Sequence, residues 1–347
     1  AERVGGRNDY LGLSNHPQVI ASVAESVTRH GMGPRSSPLV AGHTEQQGLL
    51  SRELAELKGM EDAVIFSCGF AANTAVFSLF GQGEDVEVFS DELNHASIID
   101  GLRLAGRSSK SKVSVYKHVD MEHLESLLQA SSAARKIVVS DSLFSMDGDV
   151  APMSQLLLLK QKYNFFLALD DAHASLVYSK QVIGFFHYFS DFAGADLIVG
   201  TMSKAFGAHG GFVCSSQEFV DLLVNMARPL IYSTALPDPV IAAARASLRL
   251  SEDRPWIRAK LWNNVRLFEQ TTGVPARSPI VPILLGEEER ALRASKELLL
   301  LGFHVPAIRP PTVKPGTARL RVALSAAHEE EEIVRLADAM RKIGVIE

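Results

Sequence analysis

The sequence predicts an α/β protein: a large, mainly parallel sheet covered by helices, followed by a smaller α+β domain. Three observations carry this expectation. From about Asp62, short β-rich runs alternate with longer amphipathic stretches: AVIFS then FAANTAVFSLF, DVEVFS then HASIIDGLRLAG, KVSVYK then DMEHLESLLQ, KIVVSD then MSQLLLLKQKY. That alternation is the signature of βαβ units. The further runs FFLALD, DLIVGT and GGFVCSS are almost continuously apolar, as strands buried on both faces are. After STALPDP the pattern changes, which marks the second domain.

Upstream of the sheet, Pro17 stands where a first helical turn tolerates proline, and VIASVAESV has helical spacing. Thr44 followed by Gln47 predicts a capping box for EQQGLLSRELAELKG, with Gly59 as its stop. Downstream, a helical pattern runs from about Pro239 to Phe268, broken at Pro255. IVPILLG, a helix over 287–301, HVPAIRP, RLRVALS and a last helix over 329–343 then complete the smaller domain. The expected organisation is an N-terminal arm and helix over 1–32, a large domain over 33–235 and a small domain over 236–347.

At 347 residues and 46% hydrophobic, the chain has length for about two domains with substantial cores. A net charge of −5 with scattered basic residues argues against a nucleic-acid partner. The longest apolar runs, LLLL at 156–159 and 298–301, fall far short of the roughly 20 residues that cross a bilayer, so no membrane partner is expected. The start has no apolar signal region and no Met, and reads as an excerpt of a longer chain. Cys68 and Cys214, the two cysteines, have no metal spacing and suit a reducing compartment, so the cytoplasm is the default location.

Parallel sheets bind ligands beyond the carboxyl ends of their strands. Unusual groups stand at five such ends: SCGFAAN, DELNHAS, DSLFSMDGD, DDAH and GTMSKAFGAHGG. Taken singly, Asp170 reads as a helix cap or an ion-pair partner, His173 as a satisfied histidine and Lys204 as a surface charge. Asp170, Asp171 and His173 are also acceptable metal ligands, a reading that lacks a further ligand and gives Lys204 no role. Taken jointly, SCGF and GTMSK place small and hydroxyl residues at strand-to-helix turns, where backbone N–H groups favour a phosphate. A phosphate site, a lysine and a buried carboxylate together suggest pyridoxal phosphate, whose aldehyde needs an amine and whose ring nitrogen needs an anion.

The chain resembles the α-oxoamine synthases, pyridoxal-phosphate enzymes of the aspartate-aminotransferase fold (fold type I). NDYLGLSNHP, GFAAN, NHASIIDG, DSLFSMDGD, DDAH, GTMSKAFGAHGG, IYSTALP, AIRPPTV and GTARLRVALSAAH carry the resemblance over nearly the whole chain. It implies that Lys204 links to the cofactor aldehyde and later acts as general base, and that Asp170 pairs with the ring nitrogen. His95 is implied to stack on the ring, with His173 and Ser145 near its phenolic oxygen. Gly69 and Phe70 N–H groups and the Thr201 hydroxyl are implied to hold the phosphate, with Ser233 and Thr234 reaching it from the second subunit of a homodimer. Arg321 matches the position that grips the amino-acid carboxylate, while Thr312 and Asn8 match positions near the substrate. AIRPPTV favours, within the family, the reaction that joins L-alanine to a pimeloyl thioester with decarboxylation; relatives use glycine or serine.

The chain also departs from the family. DDAH is followed there by glycine, a hydroxyl residue and glycine, then a glycine-rich loop; here it continues ASLVYSKQVIGFFHYF, with Ala174 and Leu176 adding bulk. Gln47 replaces a family histidine. These changes motivate the alternative of a cofactor-binding homologue with impaired turnover.

Overall fold

The computed structural model describes residues 6–80, 85–106, 111–178 and 194–347. They form two compact units. The larger comprises His16–Phe144 and Val150–Leu248; the smaller gathers the chain up to Asn15, Ser145–Asp149 and Arg249–Glu347. The boundaries thus fall elsewhere than the ranges expected from the sequence. The N-terminal arm joins the C-terminal unit because Tyr10 and Asp9 pair with it: Ala326 N–H donates to Tyr10 O, and the Ser325 hydroxyl to Asp9 O.

In the larger unit, α1 (Pro17–His30) has Pro17 in its first turn, and α2 (Glu45–Lys58) ends at Gly59 in the left-handed region. Only half of the expected capping box forms. The Thr44 hydroxyl accepts from Gln47 N–H, but the Gln47 side chain is drawn away to donate to Leu236 O. The sheet strands are β1 (Asp62–Phe66), β2 (Val86–Asp91), β3 (Lys112–Tyr116), β4 (Arg135–Asp141), β5 (Phe166–Asp170), β6 (Leu197–Thr201) and β7 (Gly211–Ser215), in the spatial order β1-β7-β6-β5-β4-β2-β3. Only β7 runs against the others. The intervening helices are α3 (Gly69–Phe80), α4 (Ala96–Gly106), α5 (Met121–Ala130) and α6 (Met153–Tyr163), with α7 (Gln217–Met226) and the short α8 (Arg228–Ile231) after β7. Asp120 and Ser216 cap α5 and α7 through the N–H groups of His123 and Phe219.

Residues along each central strand alternate between two cores. Ile137, Val139, Ala168, Leu197 and Val199 join Phe77 and Val76 on one face; Val138, Leu167, Leu169 and Ile198 join Leu124 and Leu156 on the other. This is why the strands are apolar throughout rather than at every second residue. Gly200 has no room for a side chain, because a Cβ there would stand 2.1 Å from the Phe212 ring on β7.

α9 (Asp238–Asp253) begins in the larger unit and ends in the smaller, followed by α10 (Pro255–Thr272). The smaller unit has an antiparallel sheet of β8 (Ile280–Gly286), β10 (Ala318–Ala323) and β9 (Ala307–Ile308), with α11 (Glu288–Leu300) and α12 (Glu330–Lys342). No helix among the described residues is long and apolar enough to cross a membrane.

The carboxyl end of β5 depends on one buried ion pair. Lys58 at the end of α2 bonds to Asp171, which is fully buried, and the Ser142 and Ser175 hydroxyls donate to the same carboxylate at 2.8 and 2.7 Å. Replacing Lys58 by Met leaves that carboxylate uncompensated and is expected to cost about 3–5 kcal/mol in urea unfolding, most of it recovered by adding Asp171→Asn.

Candidate functional site

Because β1, β2, β4, β5 and β6 all run the same way, their carboxyl ends share one edge of the sheet. Cys68–Gly69, His95, Asp141, Asp170–His173 and Thr201–Lys204 follow those ends. The two adjacent carboxylates after β5 have opposite fates. Asp171 is closed by Lys58, Ser142 and Ser175, which engage both its oxygens. Asp170 is 4% exposed and makes no ion pair among the described residues. Its Oδ2 accepts from Asn73 Nδ2 at 2.5 Å and its Oδ1 from Ala172 N–H at 2.9 Å. His173 is buried in the turn that follows, beside Ala174.

His95 lies in the field of both Asp170 and Lys204. Burial pushes its imidazole below the ordinary value; the Asp170 charge acts against that shift and the Lys204 charge reinforces it. Lys204, half-buried, is thereby grouped with Asp170 and His95. Asp141, at the end of β4 and in register with Asp170, accepts His95 N–H at 3.2 Å. Its burial, with the Asp170 charge adding to it, holds the Asp141 carboxyl well above the usual carboxylate range, while the His95 N–H and the Lys204 charge oppose the shift.

The residues present fit pyridoxal phosphate. α3 is a 12-residue helix whose first amides have no intrahelical acceptor, and it starts at Gly69. Thr201 closes against that turn: a Cβ on Gly69 would lie 3.1 Å from Thr201 Cβ, a tight contact that the missing side chain avoids. The Thr201 hydroxyl donates to Gly210 O at 3.0 Å and lies 2.9 Å from Ser203 Oγ, the exposed second hydroxyl of GTMSK. Phe70 N–H belongs to the same turn. Ser233 and Thr234 line a small pocket at the carboxyl end of β1 with Pro38, Gln47, Ser67 and Leu236.

Asn8, Ser145, Thr312 and Arg321 belong to the smaller unit. Arg321, on β10, is 5% exposed, and its Nε donates to Ser145 O at 2.5 Å and its Nη1 to Asn8 Oδ1 at 3.0 Å. The Tyr10 hydroxyl also donates to Asn8 Oδ1, at 3.2 Å; burial pushes the Tyr10 phenol up to about 12, against the pull of Arg321. Arg321 therefore has neutral acceptors and no carboxylate partner among the described residues. Arg319, two residues earlier on the same strand face, is paired with Asp147. Arg309, half-exposed, lies 3.7 Å from Glu288. Thr312 is exposed, its N–H bonded to Arg309 O. Ser145 reaches Arg321 through its backbone, a contribution that the side-chain motif does not announce.

Lys58, Asn73, Ser97 and Asp141 were missed by the motif reading. Asn73 had a signal: a poor helix former inside an otherwise apolar helical stretch needs a polar partner. Ala174 is buried, and Leu176 is buried with φ +64°, the left-handed region at a position where the family pattern has glycine. The rest of the altered loop, beyond Tyr178, lies outside the described residues.

The family model for aminotransferase class I and II matches residues 6–340. An 8-amino-7-oxononanoate synthase from Arabidopsis thaliana is 46% identical over 346 residues, covering 96% of this chain and 73% of that one. A solved SPT structure with a PLP internal aldimine superposes with a TM-score of 0.90 at 28% identity, covering 99% of this chain and 88% of that one. The 8-amino-7-oxononanoate synthase of Francisella tularensis superposes at 0.81 with 26% identity, covering 99% and 97%.

Asp141 holds its proton more tightly folded than unfolded, so its contribution to stability is present at acidic pH and is lost as pH rises through the raised value. Asp141→Asn keeps an oxygen for His95 N–H and cannot ionise. Its thermal midpoint is expected to gain on that of the unsubstituted protein as pH rises from about 4 towards about 8.

Proposed function

Because this chain belongs to the aminotransferase class I and II family, we propose that it is a pyridoxal-phosphate-dependent acyltransferase condensing L-alanine with a pimeloyl thioester to give 8-amino-7-oxononanoate, a step of biotin biosynthesis. The observation that carries the reading is the pair of buried charges without ionic partners, Asp170 and Arg321. A buried charge satisfied only by neutral groups is costly, and a ligand of opposite charge offsets that cost. A ring nitrogen that binds a proton suits Asp170; a substrate carboxylate suits the planar fork of Arg321.

In the reaction, a carbon–carbon bond forms between the alanine α-carbon and the thioester carbonyl while the carbon–sulfur bond breaks and the thiol leaves. The alanine carboxyl group departs as carbon dioxide and a proton takes its place. When bound, pyridoxal phosphate supplies an electron sink for negative charge at the α-carbon. Lys204 would be the covalent attachment point and, with its amine free, the base for the α-proton. With the cofactor bound, Asp170 would keep the ring nitrogen protonated, His95 would stack on the ring, and His173 would serve the phenolic oxygen, the role the family resemblance also gives the Ser145 hydroxyl. Gly69 and Phe70 N–H groups with Thr201 would hold the phosphate. Asn8 and Thr312 line the substrate with Arg321.

The active form is a homodimer in which Ser233 and Thr234 serve the partner's phosphate. Support comes from exposed apolar side chains on two touching elements: Val40, 79% exposed, in the segment 38–42, and Tyr232, 70% exposed, at the end of α8.

The test is thiol release and product mass with pimeloyl-CoA and L-alanine, glycine or L-serine. Alanine is expected to support turnover and Lys204→Ala to abolish it; equal turnover by both proteins sinks the enzyme reading, and glycine or serine as the sole substrate sinks the alanine assignment. Arg321→Lys is expected to raise the KM for L-alanine roughly 10- to 100-fold, with cofactor affinity unchanged.

A further inference from the structure

Two buried polar side chains with no role in the reaction above run between His95 and Asp170. Asn73 lies in the first turns of α3 and is 2% exposed; Ser97 opens α4 and is fully buried. Asn73 Nδ2 donates to Asp170 Oδ2 at 2.5 Å and to Ser97 Oγ at 2.9 Å. Ser97 Oγ stands 2.6 Å from His95 Nδ1, and Ser97 N–H donates to the same ring nitrogen at 3.3 Å.

The proton count sets the direction of every bond. An amide nitrogen carries two N–H donors, and both are used. Asn73 Oδ1 is left buried with no partner. Reversing the amide would relieve that orphan only by turning an oxygen towards the Asp170 carboxylate. Ser97 Oγ already accepts from Asn73, so its own proton is available to His95. His95 Nδ1 accepts the Ser97 N–H and therefore presents a lone pair. The remaining ring proton sits on Nε2.

We propose that Asn73 and Ser97 are positioning residues of the cofactor site: Asn73 locks the plane of the Asp170 carboxylate and, through Ser97, fixes His95 as the neutral Nε2–H tautomer. The inference rests on the pyridoxal-phosphate reading. A ring whose nitrogen carries a proton repels an imidazolium stacked on it and accepts a neutral imidazole, so one side-chain amide orients the anion for the ring nitrogen and keeps the stacking group uncharged. The groups facing His95 are Asp170 from β5, Lys204 after β6, Asp141 from β4 through the His95 N–H, and Ser97 on α4, which follows it. Asp170 favours the charged imidazole, and the lone-pair role that Ser97 imposes on Nδ1 opposes it.

Nitrogen-15 spectra of histidine-labelled apoprotein, with His95 assigned by its loss in His95→Gln, test the proposal without turnover. At neutral pH, Nδ1 is expected to be unprotonated and Nε2 protonated. Ser97→Ala should raise the His95 titration midpoint by about one pH unit, the scale of one hydrogen bond, and Ser97→Thr should restore it. Asn73→Leu should weaken pyridoxal phosphate binding about tenfold. A protonated Nδ1 in the unsubstituted protein overturns the proposal, as does a His95 midpoint indifferent to Ser97→Ala; the first holds even if the Ser97 and Asn73 variants fail to fold. An unsubstituted protein that binds no pyridoxal phosphate defeats the cofactor reading instead, while the tautomer remains measurable.

Discussion

A charge removed from water must be matched by a counter-charge, or by enough hydrogen bonds to hold it until a ligand arrives. The end of β5 meets this constraint in both ways within two residues. Asp171 is closed from inside by Lys58 and two hydroxyls, which ties α2 to the strand end and gives the turn through His173 a fixed frame. Asp170 is held by one amide and one backbone N–H, enough to orient it and too little to neutralise it. A rigid closed carboxylate thus supports an open one.

The smaller unit repeats the arrangement with the opposite sign. Arg319 and Arg321 alternate with Leu320 on β10, so they share a face, and both are buried. Arg319 is closed by Asp147. Arg321 meets a carbonyl and an amide oxygen that fix its plane and leave its charge uncompensated. Exposure cannot distinguish the two arginines; the chemistry of their partners can. The same criterion separates Glu87, buried but closed by Lys112, Ser114 and Ser131, from any catalytic carboxylate, and its partners hold it below the usual carboxylate range despite burial.

Local pattern made much of this legible. Strand and helix alternation, the apolar strands and the polar residues at their ends are all features of short windows, and so was the grouping of Asp170 with Lys204; His95 entered only through the family resemblance. Reversal of β7 was not legible, since a buried strand reads the same in either direction. Gln47 kept only half of its predicted cap because Leu236, 189 residues away, offers its side chain a buried acceptor. Lys58 and Asp171, 113 residues apart, pair across the fold, a relation that no window contains. Nor can a motif separate Arg319 from Arg321, because the decision lies with Asp147 and Ser145.

Leu176 shows how a departure from a family pattern can leave the backbone alone. Its φ of +64° is a conformation that costs an ordinary L-residue roughly 1–2 kcal/mol and glycine almost nothing. Yet the side chain is 2% exposed, and burying a leucine contributes on the order of 1.5–3 kcal/mol. The two effects nearly cancel, so the turn after His173 can keep a glycine-type path while carrying a leucine. Ser175, the hydroxyl between the two replaced glycines, still donates to Asp171 at 2.7 Å and anchors that path. The substitution therefore adds apolar volume while the backbone holds a left-handed conformation, and the Asp170–His173 turn is held by Lys58, Ser142 and Ser175.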